Sequence, residues 1–404
     1  PTTATSPNKY YITTSSDIVK VIPGVNLTIS STDGGTEDNT DDTVLLQTYV
    51  KTGDEPDVGD NYYVTFDRTK TNYNISYHTN MRTVQALYGP IDVNNRVVLA
   101  ANLAFLNGSR AVAIKQVQKT TGGTDASVQS YINGIDAFNE PLPNGLRPSL
   151  IEPLSTEAEV HSYLKTSNAI QSSIRYRNER TSIIGFSLGT SSDTVIQQVK
   201  NLSSEKVTAV YPDGAIVGIT DAFGNEVEYA VDGSLVATAV AGRDVSPVSD
   251  IATPLTNATI VGFKRLYQRA DNVTASLVAN AGCTVLEEQI PVIRILMYLT
   301  TDMSSSLTRD PRIVEVKHYV QQGLRRTLNR YIGVKNLPKV QPQVKDSVGS
   351  YFKALKKSEI ITDYTGINVS QNETDPSTLD VEAYYSPVFP LNWIVVTLNL
   401  RTSL

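Results

Sequence analysis

The sequence predicts an α/β protein, α+β taken over its whole length, built around a helix-covered and mainly parallel sheet. Three observations predict it. From about residue 83 to residue 211, amphipathic helical stretches alternate with short runs rich in Val, Ile and Ala. Those runs are apolar on both faces, which suits strands covered by helices on each side. The flanks read differently, with β-branched and aromatic runs before this region and a long basic helix with further β-like runs after it. The expected division is residues 1–80 as a β-rich acidic domain, 81–300 as the α/β core, and 301–404 as a small α/β C-terminal domain.

The 404 residues suffice for two or three cores. Hydrophobic residues make up 40% and charged residues 19%, an ordinary globular composition. A net charge of −6 argues against general nucleic-acid binding, which needs a basic surface to displace counterions from phosphates. No apolar stretch of about 18 residues occurs, so no membrane insertion is expected. The chain opens at Pro1 without a basic and apolar leader pattern. Cys283 is the only cysteine and lies in an apolar run, where a small buried side chain is expected.

In chain order, Tyr10-Tyr11-Ile12-Thr13-Thr14, residues 44–50 and residues 62–66 read as strands. The loops among them are acidic, with nine acids between Asp33 and Asp60 against Lys51 alone. Asn94 or Asn95 then caps a helix with Val97, Ala101, Ala104 and Phe105 on one face, ended by Asn107-Gly108. A buried strand is expected over 111–117. Three more helix-then-strand units follow: 125–138 with 149–151, a helix from about 156 with 181–186, and 193–201 with 207–211. Small-residue helices are expected at 236–243 and 272–281, the latter leading into a strand at 284–288. Pro311 suits the first position of a long helix whose apolar face is Ile313, Val316, Val320, Leu324, Leu328 and Tyr331. Residues 309–357 hold twelve bases against Asp310, Glu315 and Asp346, a local charge of +9. The closing β-like runs are 367–369, 378–385 and 393–400, the last being the strongest strand former.

Few motifs carry chemistry. Gly185-Phe186-Ser187-Leu188-Gly189 matches the G-x-S-x-G turn of serine hydrolases, between an expected strand and helix. A hydrolase would need a histidine to take the Ser187 proton, and of His78, His161 and His318 only His318 follows it. The reading favoured is a turn built from small residues, with no catalytic residue. The acidic run 33–42 lacks the register of a calcium loop, and three histidines with one cysteine make a transition-metal site improbable, so neither metal nor cofactor is expected. Lys317, Arg325, Arg326 and Arg330 lie on or beside the polar face of the 311–332 helix and suit an acidic protein partner.

The order of segments from about residue 80 onward resembles the contractile tail sheath proteins of myophages, pyocins and related injection machines. The residues that carry the resemblance are Leu87-Tyr88-Gly89-Pro90 with the helix ending Ala104-Phe105-Leu106-Asn107-Gly108, then Val240-Ala241-Gly242-Arg243-Asp244-Val245 and Pro254-Leu255-Thr256-Asn257 running to Gly262-Phe263. Asn272-Val273-Thr274, Ala281-Gly282-Cys283 and Leu299-Thr300-Thr301-Asp302 continue the series. Gly108-Ser109 stands where the family usually has two glycines, and the usual N-terminal opening is replaced by the acidic β region. The resemblance implies a structural subunit, not an enzyme, that polymerises in stacked rings as a helical homo-oligomer. Its other partners would be the inner tail tube protein and the baseplate and tail terminator proteins, and its place the virion tail, after assembly in the host cytoplasm. It makes residues 1–80 an outer insertion and turns 301–404 toward the tube, with Lys317, Arg325, Arg326 and Arg330 as tube-facing cations. Trp393, Ile394, Val395, Val396, Thr397 and Leu398 become the strand exchanged between subunits. A sheath-like subunit of a pyocin or type VI-like machine, or a serine hydrolase using Ser187, are the alternatives.

Overall fold

The computed structural model describes three strands within residues 1–70 and residues 73–118, 126–142, 144–220, 225–247, 250–290 and 292–392. The chain forms two compact units, Pro1–Lys70 and Thr71–Leu404. In the first, β1 (Tyr10–Thr13), β2 (Leu27–Thr32) and β3 (Thr43–Thr48) make an antiparallel sheet in the order β1-β3-β2. The expected strand at 62–66 and the acidic run 33–42 lie outside the described residues.

The second unit begins with β4 (Ser76–His78), α1 (Met81–Tyr88), α2 (Arg96–Leu106) and β5 (Val112–Ile114). Asn95 does precede α2, but its amide does not cap the helix. It donates to the carbonyls of Tyr88 and Pro90, 2.9 Å each, and so ties α1 to α2. The run at 111–117 yields only β5, which pairs antiparallel with β4 instead of joining the central sheet. Its apolar side chains are taken up by a separate small core with Val84, Tyr88 and Val98.

The helix-strand alternation then runs as expected: α3 (Val128–Asp136), β6 (Leu150–Ile151), α4 (Ala158–Gln171), β7 (Thr181–Ile184), α5 (Ser192–Leu202) and β8 (Val207–Tyr211). A hairpin of β9 (Gly214–Thr220) and β10 (Glu226–Asp232) leads into α6 (Gly233–Asp244). After it come β11 (Thr259–Ile260), β12 (Arg265–Leu266), α7 (Asn272–Asn280), β13 (Cys283–Gln289) and β14 (Val292–Met297). The central sheet has the order β11-β14-β13-β8-β7-β6, parallel from β13 through β6 and antiparallel at β14 and β11.

Strand alternation explains the two layers that cover this sheet. Ile183, Val210 and Leu286 face one side, against α2 and α6 through Leu99, Leu103, Val236 and Val240. Their neighbours Ile184, Ala209, Tyr211 and Val285 face the other, against Val160 and Leu164 of α4, Val195 and Val199 of α5 and Val278 of α7. Helix α6 is buried on almost every side and crosses α2 at backbone contact. A Cβ on Gly242 would lie 2.4 Å from the Ala104 carbonyl oxygen.

The chain closes with α8 (Pro311–Leu328), a short 3-10 turn at Asn329–Tyr331, α9 (Val340–Lys357), β15 (Ile361–Gln371) and β16 (Leu379–Pro387). Helix α8 starts where expected, with Pro311 at its first position and the Asp310 carboxylate accepting from the Arg312 amide at 2.9 Å.

Candidate assembly surface

Two faces of α8 do different work. Val316 and Val320, with Leu324, Leu328 and Tyr331, pack on Val340, Val344, Val348, Phe352 and Leu355 of α9. Helix α9 in turn carries the β15–β16 hairpin: the Phe352 ring, 1% exposed, stacks against Tyr364 at 5.5 Å and Tyr385 at 5.9 Å between centroids. This hairpin is a two-stranded sheet in which neither strand has a second neighbour among the described residues. Among the described residues the outer edges of both long strands are thus unpaired, the arrangement to which another strand adds. The register shifts between Thr365 and Asn368, where Gly366 takes a positive φ of +64°.

The cations singled out on α8 are placed differently from one another. The Lys317 ammonium donates to both Glu205 carboxylate oxygens, at 3.1 and 3.3 Å. Arg325 is paired with Glu179, whose side chain is fully buried. The Arg330 guanidinium lies 5.0 Å from the centre of the Tyr331 ring and donates to the Ser347 hydroxyl. Arg326 is exposed and has no ion-pair partner among the described residues. Trp393, Ile394, Val395, Val396, Thr397 and Leu398 lie outside the described residues. The chain is last described at Asn392, whose side-chain carbonyl accepts from the Thr256 hydroxyl at 3.0 Å.

Sequence reasoning missed one feature of this surface. Residues 332–339, between α8 and α9, are exposed throughout and present Ile332 at 79% exposure beside Val334, Leu337, Lys335 and Lys339. Gly333 and Pro338 on either side of Val334 were the available signal for a turn that cannot bury its apolar residues.

The Ser187 turn is held by close backbone contacts. Gly185 has no Cβ because one would sit 1.9 Å from the Gly233 carbonyl oxygen, and Gly189 adopts φ +81°. The buried Asp213 carboxylate, its pKa raised by desolvation, accepts from the Gly189 amide and holds the turn closed. The Ser187 hydroxyl donates to Thr156 at 2.7 Å. His318 is buried on α8, its pKa lowered to about 4 by desolvation, and His161 is hydrogen-bonded to the Ser155 carbonyl at 2.9 Å. Cys283 is buried, its thiol donating to the Ala209 carbonyl, with its pKa pushed well up by desolvation. Among the described residues no three His, Cys, Asp or Glu side chains come together as a metal site. No described helix is long and apolar enough to cross a membrane.

Residues 303–401, which contain α8, α9 and the open hairpin, match the family of the phage tail sheath C-terminal domain. In that domain and in its overall sequence the chain is similar to contractile tail sheath proteins. The tail sheath protein of Mycobacterium phage Bxz1 is 24% identical over 386 residues, covering 92% of this chain. This chain spans 64% of the length of that relative. The sheath fold extends well beyond the C-terminal domain. The sheath complex of an extracellular contractile injection system, PVC, in its contracted state superposes with a TM-score of 0.63 at 10% identity, over 82% of this chain and 88% of that one. The contracted helical sheath of the anti-feeding prophage gives 0.60 at 13% identity, over 81% and 88%. A sheath tail protein from Desulfitobacterium hafniense gives 0.51 at 14% identity, over 96% and 78%.

Proposed function

We propose that this chain is a structural subunit of a contractile tail sheath. It polymerises as stacked rings around an inner tail tube and contracts to drive the tube through the host envelope. The observation that carries the reading is the β15–β16 hairpin: long, seated on α9 by one face, and without a further strand on either edge among the described residues. Strands from neighbouring copies complete this small sheet, with residues 393–398 as the exchanged strand. Such heterologous links do not close on themselves and so propagate as a helix. Main-chain hydrogen bonds tether neighbours while each subunit turns between two packings, a metastable extended one and a contracted one that buries more surface. Residues 301–404 face the tube, residues 1–80 the outside, and baseplate and tail terminator proteins hold the two ends in the virion. Assembly takes place in the host cytoplasm.

Removing residues 393–404 tests this reading. The full-length chain should form tubes in negative-stain electron microscopy, and the shortened chain should remain monomeric with unchanged circular dichroism. Tubes formed equally well by both would refute strand exchange.

The likeness to two injection-machine sheaths favours a second version, in which the sheath belongs to a particle without a capsid. Microscopy of native particles separates the two by whether a DNA-filled head sits on the tail.

A further inference from the structure

Three cations of α8, Arg312, Lys317 and Arg325, reach acids of the α/β core. Arg312, only 4% exposed, reaches the Asp244 carboxylate at the end of α6 (3.2 Å), the Asp244 carbonyl (3.1 Å) and Glu315 on its own helix (2.6 Å). Further along, Lys317 holds Glu205, which sits just before β8, and Arg325 holds Glu179, which sits just before β7. The three core acids thus lie at the ends of α6, β8 and β7, and the cations follow one another down α8. Val316, Val320, Leu324 and Leu328 of the same helix pack on α9, in a cluster that Ile251 and Ala252 also join. The helix is thus held to the core by three ion pairs beside apolar contact, and to the C-terminal hairpin module by apolar packing.

The hydrophobic term is non-directional, whereas charge-assisted hydrogen bonds such as Lys317–Glu205 and Arg325–Glu179 accept a narrow range of geometry. We propose that α8 is an electrostatic coupling rod: the pairs Arg312–Asp244, Lys317–Glu205 and Arg325–Glu179 fix the angle between the C-terminal module and the α/β core. Rotation applied at the hairpin sheet is then delivered to the core without hinge motion. That mechanical consequence rests on the sheath reading; the fixed angle does not, and it is measured on subunits whether or not they assemble.

The experiment is a distance measurement by pulsed electron spin resonance. Spin labels are placed on Ser276→Cys of α7 and Lys353→Cys of α9, both exposed, in full-length protein diluted with unlabelled chains. Cys283 is buried and does not compete for label. The parent should give one narrow distance distribution. Lys317→Met with Arg325→Met and Glu179→Gln removes two pairs, keeps the apolar stems and leaves no buried charge at 179; the distribution should lose its single narrow peak. Lys317→Met alone, at a half-exposed pair, should broaden it partially if the triple variant does not fold. Arg326→Met is the control and should leave it narrow. An unchanged narrow peak in the neutralised variants overturns the proposal, and so does equal broadening in the Arg326→Met control.

Discussion

Phe352→Ala is the sharpest test of how the hairpin is held. Phe352 is 1% exposed and, among the described residues, is the only side chain stacked on rings of both strands, Tyr364 on β15 and Tyr385 on β16. Truncating a buried phenylalanine costs about 3–5 kcal/mol, because apolar burial is lost and a cavity remains. Within that total, each aromatic pair accounts for about 0.5–1.5 kcal/mol. The loss falls on the module, since Phe352 packs in the cluster formed by α8, α9 and the hairpin and outside both clusters that line the central sheet. Local opening of the hairpin should therefore become easier while the central sheet is unaffected. At a tenfold change per 1.4 kcal/mol, amide exchange across β15 and β16 should accelerate by about a hundredfold to a few thousandfold. Hydrogen-exchange mass spectrometry reads this directly, with peptides from β7 and β8 as the internal reference. Phe352→Leu keeps most of the volume and should recover the greater part of the protection. If Phe352→Ala left hairpin exchange unchanged, or raised it equally in β7 and β8, the view that α9 alone seats the hairpin would fail.

Gly242→Ala should destabilise the α2–α6 crossing by about 1–3 kcal/mol, outweighing the roughly 1 kcal/mol that alanine gains in a helix, because the new Cβ meets Ala104 backbone on both sides; a urea midpoint at or above the parent's would contradict this. The two buried histidines should subtract stability as the pH drops from 6.5 toward 4, followed by urea unfolding read by far-UV circular dichroism. His161 and His318 are buried and neutral with pKa values near 4, so the unfolded chain takes up protons the folded one refuses, at a cost of at most about 3 kcal/mol each. Glu179 and Glu205, held below the usual carboxylate range by Arg325 and by Lys206 with Lys317, act in the same direction. The buried Glu152, pushed up to about 8 by desolvation, and the buried Glu315, also raised by desolvation, act in the opposite one. The histidine contribution is therefore read as the difference in pH slope between the parent and His161→Gln, and an identical slope would refute the burial assigned to His161. Arg326→Glu and Lys345→Glu should weaken co-sedimentation with tube protein and leave thermal stability within about 0.5 kcal/mol of the parent, as for exposed residues without partners, whereas Lys317→Glu should lower stability first.

The parts of the fold legible in the sequence were those whose burial is set by local pattern. β8, apolar at nearly every position, could only be a covered strand, and Pro311 behind Asp310 announced the start of α8. The β9–β10 hairpin was overlooked although Glu226, Val227, Glu228, Tyr229 and Ala230 alternate in exposure as a half-buried strand should. Strand β14 falls in an apolar stretch, Pro291 to Leu299, that Arg294 interrupts. What makes Arg294 acceptable there is Glu287 on the neighbouring strand β13, directly opposite in the ladder, which only the pairing reveals. The G-x-S-x-G match was read as a turn of small residues, and what requires them there is again distant in sequence. Gly185 is required by the approach of Gly233, 48 positions later, and no local rule separates that need from a catalytic one.

The basic segment shows most clearly where pattern reading stops. Its net charge of +9 is a property of sequence, but which of its bases can meet a partner is a property of the fold. Arg312, Lys317 and Arg325 find their acids 68, 112 and 146 positions away on the core, separations at which a helical wheel has nothing to say. Each pair subtracts a cation from what a partner would meet. The charge left over sits on Arg326, on Lys335 and Lys339 of the exposed turn, and on Lys345, Lys353 and Lys357 of α9, all exposed and without an ion-pair partner among the described residues. Exposed lysines of this kind hold a partner weakly and release it readily in salt. That suits a contact that must let go when a sheath expands, whereas the inward pairs of α8 are of the kind that must not.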